Sequence, residues 1–359
     1  MNKDNSINLK PKYFNILTKV GLIVDDEIKK FLESDVYPNF PEKKILYQKM
    51  FKRKEGSQKL RAMAAYLAFF ALGKSNILKD KKIRRIIAAV ELENYSNYEL
   101  NWLFDGKAAT NDLLSIKVAG LATHGFINDA LRLVFDMPEI VDIFLRLNDR
   151  VHRGWTPELY DLIFDNKKIF RNHDVFWQAY QKRNIEAGGQ FYANYVKLAA
   201  TYLRFNDKEI ITLLSEIYKE FGEGIQILND MGDFLTGIID VNEKDKNDRF
   251  VDLRNGVVTW PIWLMYNKDK RKVLDFYNNK NNDSKTIMRL FYSSAYLTIG
   301  TFLKEKRLRL QSRTRKLKNI DSEARGLIEV MISMLSSNRI LYNLERYQNK
   351  LSRIAIKKG

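Results

Sequence analysis

The sequence predicts an all-α protein, a single large bundle of about ten or more helices. Apolar residues recur at helical spacing almost from end to end, only six prolines and seventeen glycines interrupt 359 residues, and strands find little support.

Helical patterning begins near Tyr13, which leaves 1–12 as an expected flexible start. A strongly apolar helix follows over 60–72 (Ala62, Ala64, Tyr66, Leu67, Phe69, Phe70), stopped by Gly73 ahead of lysines. The pattern then predicts helices over 83–104 and 114–147, joined by a short polar link at 106–112. Gly154-Trp155-Thr156-Pro157 reads as a loop in which Thr156 caps a new helix and Pro157 takes its first position. Further helices are predicted over 174–204, 207–239, 259–268, 284–315 and 321–349, separated by polar turns such as Asn278-Asn279-Lys280-Asn281-Asn282-Asp283. Connections stay short, and there is no linker, low-complexity tract, internal repeat or persistent heptad, so 1–359 is expected to form one domain.

With 45% hydrophobic and 12% aromatic residues the chain can bury a large core. It has no cysteine, which excludes disulfides, thiolate metal sites and thiol nucleophiles and fits a reducing cytoplasm. The start lacks the order of a secretory signal and no apolar run reaches the ~18 residues that span a bilayer, so a soluble, cytoplasmic protein is expected. The net charge of +17 lies largely in short runs such as Lys79-Asp80-Lys81-Lys82 and Lys304-Glu305-Lys306-Arg307, which read as solvated helix faces. Nucleic acid is therefore not expected as a partner; an anionic small substrate, or peripheral contact with an anionic membrane, is. His124, His152 and His173 show no ligand spacing, and no serine or threonine has a nucleophile's setting. Trp260 and Trp263 read as core residues beside Pro261.

Two segments carry oxygen-bearing side chains on helical faces. In the first, Asn94, Asn101 and Asp105 share one face; in the second, Gln226, Asn229, Asp230 and Asp233 do, while Gly222 and Gly224 permit close helix approach. Opposed across a core, such faces make a cage for a hard cation such as Mg²⁺, which bridges carboxylates to substrate phosphates. Taken alone, either segment reads more readily as an exposed polar face.

The second segment resembles the second aspartate-rich motif of trans-isoprenyl diphosphate synthases, with Ile225, Gln226, Ile227, Asn229, Asp230 and Asp233 in the corresponding places. The run from Asp252-Leu253 through Gly256 to Thr259-Trp260-Pro261 is similar to the family's downstream Asp-Leu-x-x-Gly-Lys-x-Thr-Leu-Pro. Glu91-Leu92 with Asn94, Asn101 and Asp105 resembles the first motif, and Gly56-Ser57-Gln58-Lys59-Leu60-Arg61 the family's basic Gly-Gly-Lys-Arg-x-Arg. Four segments in the family's order outweigh the surface-face reading.

The resemblance implies the class I isoprenoid synthase bundle with a central cavity, usually as a dimer, here a homodimer or a heterodimer with a related subunit. It implies Mg²⁺ held by Asn101, Asp105, Asn229 and Asp233, with Asp105, Asp230 and Asp233 catalytic. It also implies an allylic prenyl diphosphate bound through Gln58, Lys59, Arg61, Asn94 and Gln226, and a cavity lined by Tyr95, Ser96, Asn97, Tyr98 and Phe191, with Phe104, Tyr192 and Tyr195 as further aromatics. Ionisation would leave an allylic cation for the aromatic faces to stabilise.

Departures from the pattern qualify the reaction. Asn101 and Trp102 replace the first two aspartates of the first motif and Asn229 the first of the second; an amide oxygen is a poorer Mg²⁺ ligand than a carboxylate. Gln58 replaces a lysine, Glu186-Ala187 the mid-chain Lys-Thr and Val257 another lysine, while the Arg-Arg-Gly after the first motif is missing, so the cations for a second diphosphate are mostly gone. Three readings follow: prenyl transfer to an acceptor other than isopentenyl diphosphate, a terpene cyclase on the same fold, or a non-catalytic subunit that regulates a competent partner.

Overall fold

Every residue from Ala62 to Leu72 of the Leu60–Leu72 helix is buried, a pattern that only a central position allows. The computed structural model describes residues 6–34, 59–73, 76–104, 113–235, 250–280 and 283–336. It divides the chain into two compact units, each assembled from three stretches: 1–149, 191–218 and 314–331 in the first, 150–190, 219–313 and 332–359 in the second. Among the described residues there is no strand, only an isolated antiparallel bridge between Ile163 and Val257. The protein is all-α.

In the first unit the Leu60–Leu72 helix is flanked by the helices Ser6–Leu32 and Lys81–Phe104, and the latter packs along Leu113–Leu133. Two polar contacts tie helices of this unit together: the Tyr218 hydroxyl donates to the Ala64 carbonyl at 3.1 Å, and Arg84 Nε to the buried Glu27 at 2.6 Å. The first helix also meets Ser322–Ser333. Lys12 pairs with Glu323 at 2.7 Å, and a Cβ on Gly326 would lie 2.5 Å from Leu9.

The second unit is held by an aromatic core. Trp263 stacks on Phe176 at 5.0 Å and donates its indole N–H to the Ile169 carbonyl, while Trp260, Phe164, Phe234 and Phe291 are buried in the same cluster. Beside the bridge, Phe164 N–H donates to the Gly256 carbonyl at 3.0 Å and Val258 N–H to Leu162 at 2.7 Å. Gly256 has φ +75°, the left-handed conformation that glycine takes without strain, and closes the short Val251–Asn255 helix.

Several expected boundaries shift. Helix starts at Ser6, with Pro11 inside it, rather than near Tyr13, so 6–12 are helical instead of a flexible start. The stretch over 114–147 splits into Leu113–Leu133 and Pro138–Tyr160, because Pro138 takes a first helical position after a turn whose Asp136 pairs with Arg85. The expected loop at 154–157 is helical. Pro157 forfeits one backbone bond, but only three residues before the helix ends, and Gly154 is buried where a Cβ would sit 2.4 Å from the Ala187 backbone nitrogen. Close packing thus overrides the local turn signal. Helices over 174–204 and 284–315 are each interrupted by a π turn, Asn184–Gly189 and Tyr292–Tyr296, and short helices Lys168–Arg171, Val251–Asn255 and Lys270–Tyr277 were not expected. The link at 106–112 and the ends of the helices expected to reach 239 and 349 lie outside the described residues.

The Gly154 contact sets a prediction: Gly154→Ala forces backbone apart and lowers stability by about 1–3 kcal/mol, read as a lower urea midpoint at unchanged slope. No described helix is long and apolar enough to cross a membrane. His124, His152 and His173 are all exposed.

Candidate functional site

Each unit carries a cluster of polar side chains on a buried helical stripe. In the first, the Lys81–Phe104 helix places Ile86, Val90 and Glu93 at i, i+4 and i+7, so the carboxylate is delivered to the core, where Glu93 is 1% exposed. Neither of its oxygens has a hydrogen-bond partner. Burial pushes the Glu93 carboxyl well above the usual carboxylate range, with Arg61 as the opposing charge. Arg61 lays its guanidinium 4.1 Å over the Phe191 ring and hydrogen-bonds Tyr192, whose phenol burial pushes up to about 12 against the pull of Arg61. Arg61 Nη1 and the buried Tyr195 hydroxyl also have no hydrogen-bond partner. Burial raises the Tyr195 phenol; Arg61 opposes this and Glu93 adds to it.

The other residues expected in this region are largely engaged. Lys59 is buried with its Nζ 3.0 Å from Asp25, and Asn94 donates to Glu91 Oε1 at 3.2 Å. Tyr95, Ser96 and Phe191 are buried, Asn97 donates to the Glu93 carbonyl at 2.8 Å, and Tyr98 is 41% exposed. Asn101 is half-buried in the last turn of its helix; Gln58 and Asp105 lie outside the described residues.

In the second unit, the His173–Arg183 helix sets Phe176, Tyr180 and Arg183 on one buried stripe. Arg183 Nη1 donates to both Asp230 oxygens at 2.9 and 3.0 Å and to Asn184 Oδ1 at 3.2 Å, and Nε donates to Glu158. Tyr180 donates to Asp230 Oδ2 at 2.6 Å. Burial works against the charge of Arg183, but the Asp230 and Glu158 carboxylates overrule it and hold the guanidinium well above its ordinary value.

Asp233 anchors the downstream segment. Its Oδ1 accepts Val251 N–H at 3.0 Å and its Oδ2 accepts Asp252 N–H at 3.3 Å, fixing the start of the Val251–Asn255 helix. Burial and the negative charges of Asp233 and Asp230 push the Asp252 carboxyl well above the usual range. Gln226 is half-buried and Asn229 exposed; Gly188 closes on the Gly222 carbonyl, and Gly224 on Leu335.

Sequence reasoning missed Glu93, Tyr180, Arg183, Glu158 and Asp252 as members of these clusters. The signal was positional: Glu93 and Arg183 each extend an apolar stripe, and a charge on a buried stripe requires counter-charge.

Among the described residues no three His, Cys, Asp or Glu side chains gather so as to hold a metal ion. Asp233 and Asp252 do form a pair of like charges, and Asn229 lies one turn before Asp233. Mg²⁺ ordinarily takes one or two carboxylates and completes its shell with water and substrate phosphate, so this donor set fits it.

Comparison with known proteins adds the following. A family model described as polyprenyl synthetase matches residues 106–293, whereas a search of curated proteins finds no match. Among solved structures, a polyprenyl synthase from Caulobacter crescentus complexed with calcium and isoprenyl diphosphate superposes with a TM-score of 0.70 at 14% identity, over 94% of this chain and 100% of that one. Geranylgeranyl pyrophosphate synthase from Corynebacterium glutamicum gives 0.65 at 16% identity, over 91% and 97%. Heptaprenyl diphosphate synthase from Staphylococcus aureus gives 0.64 at 18% identity, over 88% and 98%. At these identities the likeness is one of fold.

Proposed function

The chain belongs to the polyprenyl synthetase family, whose fold and membership support isoprenoid prenyl-transfer chemistry, and we propose that it transfers a prenyl group from an allylic prenyl diphosphate to an acceptor other than isopentenyl diphosphate. One observation carries the proposal: the cations that the resemblance assigns to diphosphate binding are engaged internally, Lys59 with Asp25 and Arg61 with the Phe191 ring and the Tyr192 hydroxyl, while the carboxyl groups of Asp233 and Asp252 are coupled to one another. That balance favours one cation-assisted diphosphate over two.

Of the residues that the resemblance assigns to the metal, Asn229 and Asp233 would hold Mg²⁺ from the second unit, with Asp252 electrostatically coupled to Asp233. When bound, Mg²⁺ offsets the charge that builds on the departing diphosphate. Asp230 acts through position: clamped by Arg183 and Tyr180, it fixes the helical turn that presents Asn229 and Asp233. Gln226 lies on the same helix and would meet the diphosphate. Tyr95 and Phe191 would offer faces to the allylic cation; the Phe191 ring already carries a guanidinium at 4.1 Å.

A second reading, a non-catalytic subunit of a heteromeric synthase, is favoured by the commitment of Asp230 to Arg183 and the amide at Asn229, both of which weaken a metal site. Incubation of the purified protein with Mg²⁺ and farnesyl or geranylgeranyl diphosphate separates the readings. The expected result is pyrophosphate release that EDTA abolishes and isopentenyl diphosphate does not accelerate. Elongated products would overturn the proposed acceptor, cyclised products would indicate a cyclase, and no release would favour the subunit.

A further inference from the structure

Around Arg183 the second unit gathers oxygen acceptors from separate segments. Asp230, 2% exposed, comes from the Lys208–Leu235 helix, Glu158 from Pro138–Tyr160 and Asn184 from the first position of the π turn. All three accept from one guanidinium: Nη1 lies 2.9 and 3.0 Å from the Asp230 oxygens and 3.2 Å from Asn184 Oδ1, and Nε donates to Glu158. Two carboxylates and an amide oxygen converging on one buried positive charge are the donor set that a hard divalent cation takes. Here the chain supplies the charge itself.

We propose that Arg183 is a resident cation of the second aspartate-rich segment: its guanidinium holds the place of one divalent ion at Asp230, and an ion taken from solution meets the segment at Asp233. The charges of the segment agree with this. Of its three acid positions, Asn229 is already an amide, and Asp230 is neutralised in place by contacts to both of its oxygens, with Tyr180 donating a further hydrogen bond at 2.6 Å. One carboxylate suffices for a Mg²⁺ that completes its shell with water and phosphate. A guanidinium fixed by covalent bonds is also indifferent to chelation and dilution, so the helical turn carrying Asn229 and Asp233 keeps its anchor whether or not metal is bound. The inference rests on the reading above only in taking Asp233 as a metal-holding carboxylate; the replacement at Asp230 stands on the contacts.

The test counts Mn²⁺ bound to the full chain in the absence of any diphosphate, from the paramagnetic resonance signal of the free ion. Arg183→Gln, which removes the charge and keeps a donor, is expected to bind one further Mn²⁺ per chain than wild type. Its urea midpoint should also rise with Mn²⁺ concentration more steeply than that of wild type, as mass action requires of an ion that binds only the folded chain. Adding Asp230→Asn should abolish both gains, and Arg183→Lys, which returns a positive charge, should gain no Mn²⁺. Arg183→Met, uncharged and of similar length, is the second variant and should behave as Arg183→Gln does; if either needs metal to fold, Mn²⁺ is expected to restore its helical circular dichroism. An equal count in wild type and both variants, extra Mn²⁺ that survives Asp230→Asn, or variants that Mn²⁺ leaves unfolded would overturn the proposal. No turnover is involved, so failure of the allylic diphosphate assay leaves this count standing, and failure of the count leaves that assay standing.

Discussion

Arg183→Leu is expected to lower the unfolding free energy by about 3–5 kcal/mol, the size of loss found when one partner is removed from a buried ion cluster. The side chain is 6% exposed and binds Asp230, Glu158 and Asn184 at once. Leucine fills part of the volume but leaves the buried Asp230 and the half-buried Glu158 without their cation, with Asp252 electrostatically coupled to Asp230. Lysine is no remedy, because a single ammonium cannot reproduce the planar fork that reaches both acids. Urea unfolding checks the magnitude, and pH checks the cause. Burial already raises the Asp230 and Asp252 carboxyls, and loss of the opposing guanidinium raises them further, so the penalty is absent at low pH and grows as pH rises through the folded values. The gap between variant and wild type should therefore narrow on acidification.

Asp233→Asn is expected to reduce pyrophosphate release from an allylic diphosphate by roughly a hundredfold or more, while costing about 1 kcal/mol of stability. The amide retains one acceptor for the Val251 or Asp252 N–H, so the Val251–Asn255 helix keeps part of its anchor. What it loses is the negative charge beside Asp252. Steady-state release measured against Mg²⁺ concentration distinguishes the two roles. A shift in the Mg²⁺ requirement with a nearly unchanged unfolding midpoint supports a metal-holding carboxylate; parallel losses of midpoint and rate would reduce Asp233 to an anchor.

The fold class was legible because helical periodicity is a local property, and it was clearest where burial is complete, as in the Leu60–Leu72 helix. Errors fell where distant packing decides. Gly154-Trp155-Thr156-Pro157 carries every local sign of a turn, yet Ala187 packs against Gly154 and the helix runs on. The aspartates of the second motif were legible as a set, but their division of labour was not. Asp230 and Asp233 are three residues apart on one helix, and only tertiary neighbours give one to Arg183 and Tyr180 and the other to the amides of Val251 and Asp252. Glu93 escaped notice because a lone carboxylate between Glu91 and Asn94 looks like part of a polar face until its register with Ile86 and Val90 is counted.

The discontinuity of the units dictates an order of events during synthesis. Arg183 waits for Asp230 before its charge is matched, and the first helix, although it can pack on Leu60–Leu72 and Lys81–Phe104 early, completes its contacts through Leu9 and Lys12 only when Ser322–Ser333 exists. At ribosomal speeds that interval is on the order of tens of seconds. For that time the apolar length of Leu60–Leu72 lacks its complete cover, which makes the nascent chain a client for chaperones in a way that a protein of sequentially closed domains is not.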